Sequence, residues 1–483
     1  MIKSTTTIRL TVSLAVWFAT LVPTVGFAHE ASADSVNTPN LQVPTPEAAS
    51  TVEGSEQPQT AVSPTPPSDE GLEPRFGFHL QERARFELLP DGDFTDAPSG
   101  TAAIGNRARL GVFGSYGVIG AHIELQDVRS WGSEHKANTY KEGTLFDASA
   151  NDFDVHQAYG EVIAPYGLNL RVGRQEIAWN GQRLIGAVGW AHQGRSFDAV
   201  RLRFDTGAFG AEVFYSLLLD HPIADDVTTQ VSVTGDDGES HVVAAIGGAE
   251  PPTRSEDTHL IALRGGPRWD KALTLDGLLI IRHDGAMEET LATFGAYGKG
   301  SWGSLYYEGE AYGQAGTRGP LSILAYLVGV RAGVILPELG HLKVGGGLDI
   351  VSGDEDPDDD EVGSFDTLYA TNHKFYGHMD RYLALPVHTS GEGLIDGLVT
   401  IGMKPLKTLS LSLDAHLFAS VNPQVASDRF HGVELDFNTA WRPIEGFALV
   451  GGVWTYIPGP WQAGNGVEVG GYVMTNFTFT YRN

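Results

Sequence analysis

The end of the chain, "GYVMTNFTFTYRN" (471–483), alternates without a break. Val473, Thr475, Phe477, Phe479 and Tyr481 fall on one side, and Met474, Asn476, Thr478 and Thr480 on the other. A period of two marks a β-strand whose two faces meet different surroundings. The same rhythm recurs upstream. In "GAHIELQDVR" (120–129), Ile123 and Leu125 alternate with His122, Glu124 and Gln126. In "YGLNLRVG" (166–173), Leu168, Leu170 and Val172 alternate with Asn169 and Arg171. In "HGVELDFNTAW" (431–441), Val433, Leu435 and Phe437 alternate with Glu434, Asp436 and Asn438, and "GHLKVGGGLDIVSG" (340–353) repeats the pattern.

A soluble sandwich also alternates, with its polar face in water. Here the polar positions carry charge in nearly every strand, and the apolar positions often begin or end on Tyr, Trp or Phe. That is the pattern of an outer-membrane barrel: an apolar band toward lipid, aromatic girdles and a polar lumen. No apolar run after Ala28 is long enough for a membrane-spanning helix. Glycine is abundant at 60 residues, as tight turns and crowded lumen positions require. A strand with its share of turn takes roughly 20 to 25 residues in such barrels. The predicted fold is therefore all-β: a transmembrane β-barrel of about 18 antiparallel strands over 75–483, wide enough for an aqueous channel.

The first residues show Lys3 and Arg9, then an apolar stretch, then Gly26-Phe27-Ala28. This reads as a signal peptide, 1–28. Residues 29–74 are rich in Pro, Ser, Thr and Glu without aromatics, which predicts a disordered periplasmic tail. The chain has no cysteine, so disulfides, thiolate catalysis and cysteine metal sites are excluded.

The formal charge is −28; the signal segment holds two bases and the tail eight acids, leaving the barrel at about −22. This argues against a nucleic-acid partner. Acids concentrate in apparent loops such as "HPIADDVTTQ" (221–230), "VTGDDGESH" (233–241) and "GDEDPDDDE" (353–361). Arginines concentrate in strands: Arg83, Arg85, Arg107, Arg109, Arg129, Arg171, Arg174, Arg201 and Arg203. An arginine facing lipid near the midplane costs about 2 to 4 kcal/mol, so all nine are expected to line the pore. Two readings follow. Either they brace the wall against carboxylates such as Glu82, Glu87, Glu124 and Asp198, or they form a positive constriction whose planar forks hold sugar carboxylates.

The stretch "RVGRQEIAWNGQRLIGAVGWAHQGRSFDAVRLRF" (171–204) resembles the signature of the alginate export family of outer-membrane porins. "FDVHQAYGEV" (153–162), "NRARLGV" (106–112), "LQDVRSWG" (125–132) and "GSFDTLYATNHKFYGHMD" (363–380) fit the same family. The resemblance implies an 18-stranded monomeric barrel in the outer membrane of a Gram-negative bacterium. Through its electropositive pore an anionic, alginate-like polysaccharide would leave the periplasm, handed over by periplasmic export machinery. The long acidic tail and acidic loops depart from that pattern.

Asp366, His373, Lys374, Tyr376, His378 and Asp380 are the remaining candidates. Imidazole and carboxylate are metal ligands by type, but the spacing matches no zinc motif and HExxH is absent. We expect an ordered loop at the channel mouth, without metal or cofactor. The acidic run 354–361 lacks EF-hand spacing and reads as solvated. The competing functions are a general or sugar-specific porin for small solutes, a barrel-embedded enzyme, and an adhesive surface protein. No G-x-S-x-G elbow is present, so an enzyme is not expected.

Overall fold

In the computed structural model the described residues are 74–89, 101–131, 151–219, 230–234, 240–244, 257–269, 271–424, 428–462 and 466–483. The signal segment, nearly all of the tail and the acids at 225–226 and 235–239 lie outside them.

The alternating segments form long strands. They begin with β1 (Arg75–Leu89), β2 (Thr101–Tyr116), β3 (Ile119–Trp131), β4 (Asn151–Ala164), β5 (Leu168–Gln175), β6 (Phe197–Asp205) and β7 (Phe209–Leu219). A separate hairpin, β8 (Gln230–Thr234) and β9 (Ser240–Ala244), follows. The wall resumes with β10 (Thr258–Trp269), β11 (Leu273–Asp284), β12 (Glu289–Trp302), β13 (Leu305–Arg318), β14 (Leu321–Leu336) and β15 (Leu342–Val351). A two-residue strand, β16 (Glu361–Val362), pairs parallel with β14. The last five are β17 (Leu394–Leu406), β18 (Leu409–Ala419), β19 (Phe430–Trp441), β20 (Phe447–Pro458) and β21 (Glu468–Arg482).

Without the hairpin and β16 the wall has 18 strands, each antiparallel to its neighbours. β1 pairs with β2 on one side and β21 on the other, so the sheet closes and has no edge. The terminal Asn483 extends this seam: Phe76 N–H donates to its Oδ1 at 2.8 Å, and its own N–H donates to the Phe76 carbonyl at 3.2 Å. Every connection at the end holding both Arg75 and Arg482 is short, such as 117–118, 206–208 and 407–408. Short turns mark the periplasmic side of such barrels and long loops the outer side.

Apolar side chains on the outward alternation, including Leu80, Ile123, Val200, Leu263, Phe294, Val330 and Phe477, stand exposed for lipid. Tyr116, Trp269, Trp302 and Trp441 ring the short-turn end, where amphipathic rings suit the membrane interface.

Candidate channel constriction

Two long connections turn into the barrel: 176–196, between β5 and β6, and 352–393, between β15 and β17. They are sewn to each other by backbone. Tyr369 N–H donates to the Leu184 carbonyl at 2.9 Å, Gly186 N–H to the Tyr369 carbonyl at 2.8 Å, and Thr371 N–H to the Gln182 carbonyl at 2.9 Å. Ile185 and Tyr369 thus form a parallel bridge. Around it Trp179, Leu184, Ile185, Phe365, Phe375 and Tyr376 are buried against inward residues of the wall such as Phe214, Leu260, Ile280 and Leu327. The bore is packed by its own loops.

The first-third arginines hold this packing. Arg83 donates to the Gly189 carbonyl at 2.7 Å and the Ala191 carbonyl at 2.9 Å, and Arg85 donates to the Trp190 carbonyl at 2.5 Å. Arg107 reaches the Gly189 and Ala191 carbonyls at 3.3 Å and donates to Gln81 Oε1 at 2.8 Å. Arg109 bridges Gln126, Glu176 and the Gln193 carbonyl. Burial, with Arg85, Arg83 and Arg107 alongside, pushes the His192 imidazole well below its usual range. It therefore stays neutral beside Arg83, 3.5 Å from its Nδ1. Arg83, Arg85 and Arg107 are all buried, and their guanidinium groups hold the 189–192 backbone.

The 363–380 stretch, expected as a channel-mouth loop, packs against the 176–196 loop and inward residues of the wall. His373 stacks on Trp190 at 4.2 Å, and the Arg85 guanidinium lies 4.1 Å over the Trp190 ring. Asp380 Oδ1 sits 2.5 Å from His373 Nδ1, and His378 Nδ1 lies 3.3 Å from His373 Nε2. Burial pushes the Asp380 carboxyl up to about 8, against the pull of Arg85 and His388, and pushes His373 down to about 3. Both partners are then neutral at intermediate pH, with the carboxyl proton between them. Asp366 receives Arg282 at 2.8 Å, Tyr376 is buried, and Lys374 is half-buried. Backbone N–H groups of His378 and Met379 donate to Asp436 and Glu434 on β19 at 3.3 and 2.8 Å. Gly377 makes this approach feasible: its φ is +82°, and a Cβ there would lie 2.4 Å from Glu434 Oε1.

Seven of the nine sequence-predicted arginines share the inward alternation: Arg83, Arg85, Arg107, Arg109, Arg171, Arg201 and Arg203. Arg129 and Arg174 do not. Arg129 has the parity of outward Ile123 and pairs with Asp127, 2.5 Å away. Arg174 faces its register partner Asp198 at 2.9 Å, and Asp198 alternates with buried Phe197 and Ala199. Both arginines remain affordable because they sit near the outer strand ends, each on a carboxylate. Glu82 is also outward, taking a hydrogen bond from Asn106 Nδ2. The acids are not confined to loops either. Glu212, Asp276, Glu289, Glu310, Asp349, Asp396, Glu434 and Asp436 are buried on lumen-facing strand positions.

Sequence reasoning named Arg201 but missed Arg264, Arg268, Arg282, Arg318 and Arg331 on the later strands. Arg201 and Arg264 share Glu212, Arg264 and Arg268 share Asp276, Arg282 and Arg318 share Glu289, and Arg331 binds Asp349. In every one of these pairs the guanidinium is the wetter partner. The arginine side chains are 14–36 % exposed and the carboxylates 1–3 %. The signal was available, since these arginines alternate with Ile261, Leu263, Val328 and Val330 in plain strand pattern.

A closed 18-stranded sheet with a lipid-facing apolar band and a polar, loop-packed bore defines an outer-membrane β-barrel channel. The chain belongs to the alginate export family, whose sequence profile matches residues 74–426. Its fold is similar to solved outer-membrane barrels. Acinetobacter baumannii OccAB3 aligns with TM-score 0.53 at 10% identity, covering 85% of this chain and all of that one. The outer membrane protein OpdK of Pseudomonas aeruginosa gives 0.53 at 9% identity over 85% and 99% of the two chains. OccK3 (OpdO) of the same organism gives 0.51 at 12% over 84% and 96%. No curated protein matches the sequence.

Proposed function

We propose that this channel passes an anionic polysaccharide of the alginate type outward across the outer membrane. The carrying observation is the layering of charge along the wall from β6 to β15. Carboxylates lie underneath, 1–3 % exposed, and orient the guanidinium groups of Arg201, Arg264, Arg268, Arg282, Arg318 and Arg331 that face the bore. Along this wall a solute therefore meets planar cationic forks before the wall's own carboxylates; at Arg282 alone of the six a loop carboxylate, Asp366, is the wetter partner, 23 % exposed against 15 %. Such forks bind carboxylates through paired N–H donors, and a row of them offers successive uronate units equivalent partners. The chain's negative total does not oppose this, because exposed charges more than about 8 Å apart are largely screened at physiological salt. On this reading the chain works as a monomer, performs no chemistry on the solute, and receives it from machinery on the periplasmic side.

A second reading, uptake of small solutes, is favoured by the packing of two loops into the bore, which narrows the route for a polymer. Reconstitution in planar bilayers separates the two. The expected result is anion preference and current block by uronate oligomers but not by neutral oligosaccharides of equal size. Arg264→Gln combined with Arg268→Gln should weaken both effects, more at low salt than at high. Cation preference without block by acidic oligomers would overturn the polysaccharide reading; block by single acidic sugars alone would favour the second.

A further inference from the structure

On the lumen wall below the packed loops, near the short-turn end, His79 of β1 and His122 and Glu124 of β3 converge. Their ligand atoms all lie within 4.8 Å of one another, and this is the one such group among the described residues. The convergence has a cause in the register. His79 and Glu124 both pair with Gly111 of β2, so they are two strands apart with nothing between them but a missing side chain. A Cβ at Gly111 would lie 2.0 Å from the His79 ring. The His79 ring lies across that gap, and its Nε2 meets Glu124 Oε2.

Two atoms of the group are left with no hydrogen-bond partner. His122 is 5 % exposed and its Nε2 is unpartnered, and Glu124 is 3 % exposed with Oε1 accepting no hydrogen bond. A buried imidazole nitrogen without a partner costs free energy unless something fills the site. The other nitrogen of His122, Nδ1, lies 3.1 Å from the Tyr159 hydroxyl. With Nδ1–H donating to Tyr159, the Nε2 lone pair points free, and this is how an outer group fixes the tautomer of a ligating histidine.

We propose that His79, His122 and Glu124 form a binding site for a divalent transition-metal ion of the zinc type. Two imidazoles and one carboxylate are a donor set that zinc accepts, and three protein ligands leave a fourth position for lumen water or for a carboxylate of the solute. Ligand atoms around a tetrahedral zinc stand roughly 3.3 Å apart, so a modest rotation of His122 completes the site. The charges nearby tolerate a cation. Arg109 lies 3.8 Å from Glu124 Oε1, but it is also held by Glu176 at 3.3 Å, and Glu176 takes His156 at 2.6 Å. Two carboxylates thus face one guanidinium. Occupied, the site adds a positive centre to the wall beneath the constriction.

The test is a zinc titration of the folded, chelator-stripped full chain in detergent, followed by calorimetry. One ion per chain is expected, with X-ray absorption reporting two imidazole nitrogens and carboxylate oxygen. His79→Gln with His122→Gln should abolish that binding, whereas His373→Ala with His378→Ala should leave it intact. Gly111→Ala removes no ligand but displaces the His79 ring, and should weaken binding at least tenfold; it serves where the double variant fails to fold. No saturable binding, or stoichiometric binding indifferent to both Gly111→Ala and the double variant, would overturn the site. So would an absorption spectrum without imidazole.

Discussion

Arg183 shows how much a single side chain carries inside the barrel. It is 1 % exposed, donates to Glu310 at 2.7 Å and Asp349 at 2.8 Å, and lies 3.5 Å over the Phe375 ring. One residue therefore ties both loops to the wall. Replacing it by methionine keeps the bulk and takes one cationic partner from each carboxylate; Arg331 still reaches Asp349 at 2.7 Å, whereas Glu310 keeps the Tyr312 hydroxyl at 3.1 Å with Arg331 no nearer than 4.0 Å, so the cost falls on Glu310 first. Breaking a buried pair costs about 3–5 kcal/mol. Arg183→Met should make the loops cleavable by an added protease while the barrel itself stays intact, and an unchanged digestion pattern would refute this anchoring. The His373–Asp380 contact adds a pH dependence. A folded-state carboxyl raised to about 8 contributes stability that is lost as pH rises from its unfolded value toward 8. A folded-state imidazole lowered to about 3 contributes stability that is lost as pH falls from 6.5 toward 3. The two slopes cancel between about pH 4 and 6.5, so loop docking should weaken as pH rises from 6.5 to 8. Fluorescence of Trp190, followed against a Trp190→Phe control, should report the loosening, and Asp380→Asn should flatten the profile.

At the scale of elements, the strands were legible and the loops were not. Period-two alternation marks β3, β5, β15, β19 and β21 from side-chain type alone, and the same parity already places Arg129 with Ile123 on the outer face. Asp198, one residue from buried Phe197, is readable in the same way. What sequence does not carry is the destination of a donor that ends on a backbone carbonyl. Arg107 and Gly189 are 82 positions apart, and a carbonyl has no residue type to announce it. The bridge between Ile185 and Tyr369 is hidden for the same reason. The hints that did exist were gaps: Gly111 beneath His79, and Gly377 against Glu434, mark places where another group comes close.

For the whole molecule, closure of the sheet and burial of the loops give the arginines two different surroundings, where the sequence offers wall bracing and a positive constriction as alternatives. Arg83, Arg85 and Arg107 hold the 189–192 backbone, while the side chains of Arg201, Arg264, Arg268, Arg282, Arg318 and Arg331 are 14–36 % exposed, and on the proposed function it is these that meet the solute. Family membership and barrel architecture were readable because both rest on local pattern; the division of labour was not, since it depends on which face each loop covers. It has an electrolyte consequence. Anchors that end on carbonyl oxygens in a dry interior lie beyond the reach of mobile counter-ions, whereas exposed charges are screened as ionic strength rises. Raising potassium chloride from 0.1 M to 1 M should therefore erode ion selectivity progressively without any step in single-channel amplitude. An abrupt jump in conductance with added salt would mean that the loops are held by solvent-exposed charge after all. On the proposed function the pore's shape and its preference for ions are set by separate groups, and the surrounding brine tunes only the second.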